Sequence, residues 1–462
     1  MISGRDEILS WYRDAAQKLV DLLTKTRDKS QDIDAAAVTD LVARQAGCLV
    51  ALHHEVLASK PSAQPRINRE ILTQRLNDCA SICYSKFYAY RFDRLPSHWR
   101  QLYTDTLILT TFHDILSHDG DFSSPQKLLD TVVSKLDRAL ITAGGASLLG
   151  SAWIEKTLRL LERLSIPDAQ QQRASKRARR EFSSDEPYGR PDLTNTGRLV
   201  PRCQDWSLAA FERYMNDADR APRPLIFTDL VRGWPALTSN PWKSPDYLLS
   251  RTFGGRRLVP VEIGRSYVDD GWGQDLVPFS QFLAQYVEQQ SALAEVGYLA
   301  QHNLFQQIPA LRHDICVPDF CWASVPESGR TKRLEVPQLN AWFGPARTIT
   351  PLHTDAYHNL LVQVVGTKYV RLYPPWRNMQ PRGREDGVDM SNTSAVDLGA
   401  VEGWDDSPHM SDDERKKIKR DLSEGENWEC VLGEGDTLLI PMGWWHYVRS
   451  LSVSFSVSFW WN

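Results

Sequence analysis

The chain has 462 residues, with 54 basic against 58 acidic side chains for a formal net charge of −4, and 42% hydrophobic against 24% charged residues. That length predicts two or three domains, the composition excludes fibrous, disordered and membrane-embedded classes, and the near-neutral balance supplies no global field for nucleic acid or an anionic membrane. Seven scattered cysteines in a chain too large to need staples predict a reducing compartment and no disulfide framework. Arg5, Asp6 and Glu7 stand where a secretory signal would place its apolar run, and no stretch of about 18 uncharged apolar residues follows. The expected location is the nucleus, with the cytoplasm as the alternative.

The composition changes near residue 190. Only Trp11, Trp99 and Trp153 of the 16 tryptophans, and 7 of the 26 glycines, precede it. The first part carries apolar residues at helical spacing, beginning with Ile8, Trp11, Tyr12, Ala15 and Leu19, and Ser3 with Asp6 reads as an N-terminal cap. Similar runs at 35–57, 71–90, 99–116 and 128–164 predict an all-α domain over 1–168 with six or more helices and no clean repeat period. A polar linker over 169–195 follows, expected to be flexible. Arg173, Lys176, Arg177, Arg179 and Arg180 crowd into eight of its residues. The run is either a solvated spacer or a nuclear-localisation or nucleic-acid anchor, and any nucleic-acid contact is expected there alone. Without these five residues the balance is 49 against 58, an acidic body with a basic tether.

From residue 196 onward short runs alternate at period two: 224–229, 257–263, 296–301, 360–365, 368–373, 436–441 and 452–461. They predict a closed or sandwiched β architecture of jelly-roll type over 196–462, interrupted by an insertion at 377–427 with a short charged helix near 412–422. The Cys79/Cys83 and Cys316/Cys321 pairs lack zinc-type companions and are assigned no metal.

The densest chemical signal is Thr350-Pro-Leu-His353-Thr-Asp355. On a strand, residues i and i+2 share a face, so this spacing sets an imidazole beside a carboxylate. His446, 93 residues downstream, is the candidate third ligand. Two histidines and one carboxylate with open positions form the facial triad of non-haem Fe(II) oxygenases. Lys368 is either an edge lysine or the cation that pairs with the far carboxylate of a chelated 2-oxo acid, helped by a hydroxyl such as Thr350 or Tyr298. His358 is expected to fall on the opposite strand face from His353, as a structural or near-substrate residue.

The segments 350–355, 359–373 and 436–446 and the terminal Ser-Phe-Ser-Val-Ser-Phe-Trp-Trp resemble the jumonji-C (JmjC) 2-oxoglutarate oxygenases, and 297–311 and 340–345 strengthen the likeness from about Pro224 onward. The resemblance implies a double-stranded β-helix (jelly-roll, cupin-like) fold after the helical domain, an α+β multidomain chain. It implies Fe(II) on His353, Asp355 and His446, with 2-oxoglutarate and O2 as co-substrates. Lys368, Thr350, Tyr298 and Asn359 would hold 2-oxoglutarate. Oxidation of a substrate C–H bond yields a stable alcohol, or formaldehyde and demethylation when that carbon is on a methylated nitrogen.

Within the family, members described as arginyl hydroxylases and as histone lysine demethylases are the most similar. The likeness places Glu262 and Trp272 on the substrate side chain, with Gln301 and Trp342 as further pocket residues. A carboxylate takes a guanidinium bidentately while an indole face stacks on it. The first expectation is hydroxylation of arginine in protein or peptide substrates with basic side chains, histone tails or chromatin proteins among them, with no membrane partner. The alternatives are a histone N-methyl-lysine demethylase and a non-catalytic chromatin-associated scaffold. A peptidase ranks last, because the chain has neither H-E-x-x-H nor G-x-S-x-G.

Overall fold

The computed structural model describes residues 4–26, 33–58, 67–91, 94–118, 126–150, 152–165, 180–193, 196–269, 271–289, 295–326, 329, 331–385, 388–405 and 410–462. They fall into two compact units, Met1–Ala178 with Arg256–Leu258, and Arg179–Gly255 with Val259–Asn462.

Among the described residues the first unit contains α1 Gly4–Thr26, α2 Ile33–Leu57, α3 Arg69–Ala89, α4 Ser97–Ser117, α5 Gln126–Ala143 and α6 Ala152–Ser165. Helix α4 packs on α1, α2, α3 and α5, which explains why Leu102, Ile108, Phe112 and Ile115 and even Thr104 and Asp105 are buried along it. Among the described helices only α2 is long and apolar enough by composition to cross a membrane. It buries Val42, Ala46, Leu49 and Leu52 and carries an Asp40–Arg44 ion pair at 2.6 Å. The apolar run expected over 128–164 is two helices, separated by Gly144, Gly145 and Gly150 at φ +67°, +66° and +83°, a conformation that ends helices cheaply only at glycine. Ser3, the expected cap, lies outside the described residues.

The second unit is built on strands. They are β1 Arg202–Cys203, β2 Leu225–Phe227, β3 Leu258–Ile263, β4 Gly273–Pro278, β5 Gly297–His302, β6 Gln338–Gly344, β7 Ile349–His353 and β8 His358–Val365. After them come β9 Lys368–Tyr373, β10 Arg384–Glu385, β11 Val388–Asp389, β12 Trp428–Leu432, β13 Thr437–Ile440, β14 Trp445–Ser450 and β15 Ser454–Trp461. A nine-stranded sheet runs β1-β2-β13-β8-β15-β6-β5-β3-β4 and a four-stranded sheet runs β12-β9-β14-β7. Their inner faces meet in one apolar cluster, with Tyr298, Trp342, Leu361 and Ile440 from the large sheet against Val370, Leu372 and Val448 from the small one. This is the jelly-roll expected from the sequence.

Both outer faces are also covered. Phe211, Trp242, Phe305 and Phe320 pack behind the large sheet. The 377–427 insertion covers the small one, burying Met379, Val396, Leu398 and Val401 against Tyr369, Tyr373, Trp445 and Tyr447. Arg371 of β9 fastens it by an ion pair to Glu402 at 2.5 Å, and also pairs with Glu429 of the neighbouring β12 at 3.2 Å.

Strand β15 shows how double coverage changes the sequence code. Phe455, Val457 and Phe459 join the outer apolar cluster, while Ser454, Ser456 and Ser458 are wholly buried on the opposite face. Ser456 Oγ donates to Gln363 Oε1 at 2.7 Å, and Trp342 Nε1 donates to Ser458 Oγ at 2.9 Å. Alternation here separates a polar interior from an apolar exterior, both inaccessible to water.

The expected flexible linker is corrected over 180–193. These residues belong to the second unit, where Phe182 N–H donates to Lys243 O at 2.9 Å and the Phe182 ring meets Phe343 edge-on at 5.6 Å. Thr367 Oγ1 donates to Glu186 Oε1 at 2.6 Å. The physical reason is one aromatic anchor in an otherwise polar run. Of the basic run, Arg180 pairs with Glu288 at 2.5 Å, and Arg173, Lys176, Arg177 and Arg179 lie outside the described residues.

The β8–β9 turn fixes the start of β9. Gly366 adopts φ +69°, and a Cβ there would collide with Val453 O and Ser452 Oγ. Gly366→Ala is therefore expected to cost more than about 2 kcal/mol, combining the left-handed penalty with overpacking, read as a lower denaturation midpoint. An unchanged midpoint would show that the turn relaxes freely.

Candidate metal centre and substrate cavity

Strand pairing places the two histidines. In the β14–β7 ladder His446 sits directly opposite His353, with an irregularity immediately after it, and the two rings lie 4.1 Å apart. His353 Nδ1 donates to Pro351 O at 2.8 Å and His446 Nδ1 donates to Trp444 O at 3.0 Å. A carbonyl can only accept, so each Nδ1 carries the proton and each Nε2 turns its lone pair to the same point. Burial, reinforced by the His353 ring, holds the His446 pKa well below its ordinary value.

Asp355 reaches that point differently from the expectation. Strand β7 ends at His353, so Asp355 lies beyond the strand rather than on its face. Its backbone carbonyl accepts from Gly443 N at 3.1 Å, which holds the segment after β7 against the turn before β14. The result is still convergence: Asp355 Oδ1 is 3.7 Å from His353 Nε2, and Oδ2 is 3.6 Å from His446 Nε2. All three ligand atoms lie within 4.8 Å of one another. Neutral imidazoles and a buried carboxylate gathered on one side suit a divalent transition metal. His358 opens β8 instead of continuing β7. It is buried, and its Nδ1 accepts from Met442 N at 3.0 Å, so it is structural for a reason other than the expected strand alternation.

Beneath the triad lies a chamber shared by Lys368, Tyr298, Thr350, Asn359, His353 and His446. Lys368 is 1% exposed, and its Nζ donates to Tyr298 Oη at 3.2 Å. Burial with no neighbouring carboxylate lowers its pKa to about 7. The Tyr298 hydroxyl also bonds the Thr350 side chain, and burial raises its pKa strongly. Asn359 Oδ1 is buried without a hydrogen-bond partner. A desolvated ammonium with a hydroxyl as its partner is costly in a finished core and suits an anionic ligand, whereas the unmatched Asn359 Oδ1 can only accept and calls for a donor.

Above the triad opens a cavity of about 690 Å³. His353, Asp355, Tyr298 and Thr350 contribute to both spaces, so the cluster stands at their junction. Glu262, Gln301 and Trp342 line the outer cavity. Glu262 pairs with Tyr298 across the β3–β5 ladder, one strand out from the chamber. Burial raises the Glu262 pKa, and the neighbouring Trp272 and Gln274 side chains oppose that rise. Trp272 stands outside the cavity lining, with its Nε1 buried and without a hydrogen-bond partner. Gln301 adopts φ +47°, beside the β5–β6 register shift between Leu299 and His302. Strained backbone of this kind persists where the surroundings impose it.

The cavity also uses Tyr267, Tyr357, Met390, Asn392, Thr393 and Trp460, which sequence reasoning missed. Tyr267 and Trp460 had a faint signal, as aromatics beside already singled-out segments. The insertion residues had none, because their placement depends on a bridge between Thr393 and His353.

Three relatives match this framework. Lysine-specific demethylase JMJ30 of Arabidopsis thaliana is 41% identical over 261 residues, covering 56% of this chain and 55% of that protein. Lysine-specific demethylase 8 of Danio rerio is 34% identical over 377 residues, covering 80% and 82%. Jumonji C domain-containing protein 5 of Drosophila melanogaster is 35% identical over 278 residues, covering 59% and 63%. The chain thus spans little more than half the length of the Arabidopsis protein and four fifths of the Danio one. The family model described as a cupin-like domain matches residues 211–462. With two sheets closed around a His-Asp-His cluster and these matches, the chain belongs to the cupin-like JmjC family of 2-oxoglutarate-dependent oxygenases.

Proposed function

We propose that this protein hydroxylates arginine side chains of protein substrates in an Fe(II)- and 2-oxoglutarate-dependent reaction. The observation that carries the reading is Glu262, a partly buried carboxylate in the cavity wall. A desolvated carboxylate is costly unless a cation meets it, and a guanidinium meets it with two parallel hydrogen bonds. When bound, the metal with 2-oxoglutarate and O2 would supply C–H oxidation coupled to decarboxylation to succinate and CO2, one atom of O2 entering the succinate and the other the substrate.

The chain's own residues divide the remaining work. His353, Asp355 and His446 hold the metal from one side and leave the opposite positions open. Lys368 pairs with the distal carboxylate of 2-oxoglutarate, Tyr298 and Thr350 add hydroxyl contacts, and Asn359 contributes its Nδ2 donor. Glu262 orients the guanidinium, with Trp342 and Gln301 closing around it in the cavity and Trp272 standing beside Glu262, and the covered sheets exclude bulk water. Substrates are expected to be proteins or peptides with exposed arginine, including chromatin proteins, met in the nucleus.

A second reading has its own support. Two of the three relatives described above carry the name lysine-specific demethylase, and Tyr267, Tyr357, Trp342 and Trp460 line the cavity with rings of the type that receive methylated ammonium groups. Mass spectrometry of arginine and methyl-lysine peptides separates the two. Gain of one oxygen on arginine without formaldehyde is the expected result, and formaldehyde release from methyl-lysine with unmodified arginine overturns it. Glu262→Gln is expected to lower kcat/KM for the arginine peptide by about 30-fold or more, the cost of leaving a buried cation unpaired. His353→Ala is expected to abolish succinate formation.

Lys368 gives a pH signature. Its pKa in the free protein is near 7, so it is charged below that value, and above it must take up a proton to receive a carboxylate. Affinity for 2-oxoglutarate should be flat below pH 7 and fall by up to about tenfold per unit above it, with proton uptake measured by calorimetry in buffers of different ionisation enthalpy. Lys368→Met is expected to weaken 2-oxoglutarate about 100-fold, and to raise the melting temperature of the free protein by removing an uncompensated buried cation.

A further inference from the structure

The insertion does more than cover the small sheet. Its residues 392–394 run along β7 as an added edge: Thr354 N donates to Asn392 O and Ser394 N donates to Leu352 O, both at 2.8 Å, with Thr393 bridged to His353. Met390, Asn392 and Thr393 therefore form a wall of the substrate cavity. Facing that wall is the β3–β4 hairpin, which carries Glu262, Tyr267 and Trp272. Tyr267 Oη lies 3.3 Å from Thr393 Oγ1.

A charged side chain also joins the two walls. Arg265 binds Asp269 within the hairpin through Nε and Nη2 at 2.7 and 2.8 Å. It reaches Asp397 of the insertion at 2.7 Å and Asp405 at 3.4 Å. Asp397 Oδ1 is already engaged as the cap of helix Leu398–Glu402, accepting from Ala400 N at 3.1 Å, which leaves Oδ2 for Arg265. Asp405 is held in turn by Arg449 at 2.7 Å, with both side chains almost wholly buried. Arg449 is three residues beyond His446 on β14. A continuous chain of ion pairs thus runs from the hairpin through the insertion to a metal-ligand strand.

We propose that Arg265 is a positioning residue for the substrate: it latches the β3–β4 hairpin to the insertion, so that the Glu262 wall is set at a fixed distance from the metal cluster before substrate arrives. Arg265 is absent from the cavity lining and acts through Glu262, Tyr267 and Trp272. The guanidinium fork suits this task because three carboxylates from two chain segments converge on one planar group, which a lysine cannot meet from as many directions. The proposal rests on the arginine-hydroxylase reading for its substrate, while the latch itself has a readout independent of substrate.

The test uses the full chain as Arg265→Ala, Arg265→Lys and Asp397→Asn variants. For Arg265→Ala, KM for the arginine peptide is expected to rise about tenfold or more, while KM for 2-oxoglutarate and succinate formation without peptide change by less than about twofold. Arg265→Lys and Asp397→Asn should fall between. Hydrogen exchange of residues 264–272 should quicken in the same order. Unchanged exchange in Arg265→Ala overturns the latch whether or not any peptide is oxidised. Quickened exchange with an unchanged peptide KM overturns its role in positioning. Parallel loss of peptide-independent succinate formation in all three variants marks a general structural role and overturns the proposal. A wild-type chain that oxidises no arginine peptide refutes the arginine reading instead, and the exchange comparison then decides the latch.

Discussion

The pairing of β14 with β7 is the constraint on which the rest of the second unit depends. Antiparallel register sets His446 across from His353, and a slip of one residue would turn each ring to the other face of the sheet. That register is held from both sides, by β9 along the other edge of β14 and by residues 392–394 along β7. The two imidazoles are therefore properties of a ladder and share the rigidity of the sheet that carries them, while Asp355 reaches them from the segment just past β7.

The same sheets govern polarity. A jelly-roll with both faces covered leaves no strand face for water, so polar side chains that point inward must be paired or face a ligand. Ser456 and Ser458 are paired, with Gln363 and Trp342. Among the described residues Lys368 has only the Tyr298 hydroxyl, and Asn359 Oδ1 has no partner. The contrast between these neighbours marks where the interior is finished and where buried polar groups lack their full complement of partners.

Much of this was legible in the sequence because it is local or periodic. The H-x-D spacing, the polar-apolar alternation of β15, and Lys368 at the head of a short aromatic and aliphatic strand all announce themselves within a few residues. Asp355 shows the limit, since the spacing was informative although the residue lies past the end of its strand. The order of β12, β9, β14 and β7 in the small sheet, the docking of 180–193 through Phe182, and the contribution of Asn392 and Thr393 to the cavity were not legible. Each depends on a pairing between segments tens of residues apart, and the residues involved have ordinary polar chemistry. Arg265 is the extreme case, because nothing in its surroundings in sequence distinguishes a guanidinium shared by three carboxylates from one in solvent.

The separation of 93 positions between His353 and His446 has a kinetic meaning. The ladder that joins them is a contact of long sequence separation, and such contacts form late because loop closure must come first. A partly folded chain in which β7 and β9 have formed but β14 has not docked presents one imidazole and one carboxylate, a weak and unselective pair. The set of two imidazoles and one carboxylate is complete only once β14 has docked beside β7.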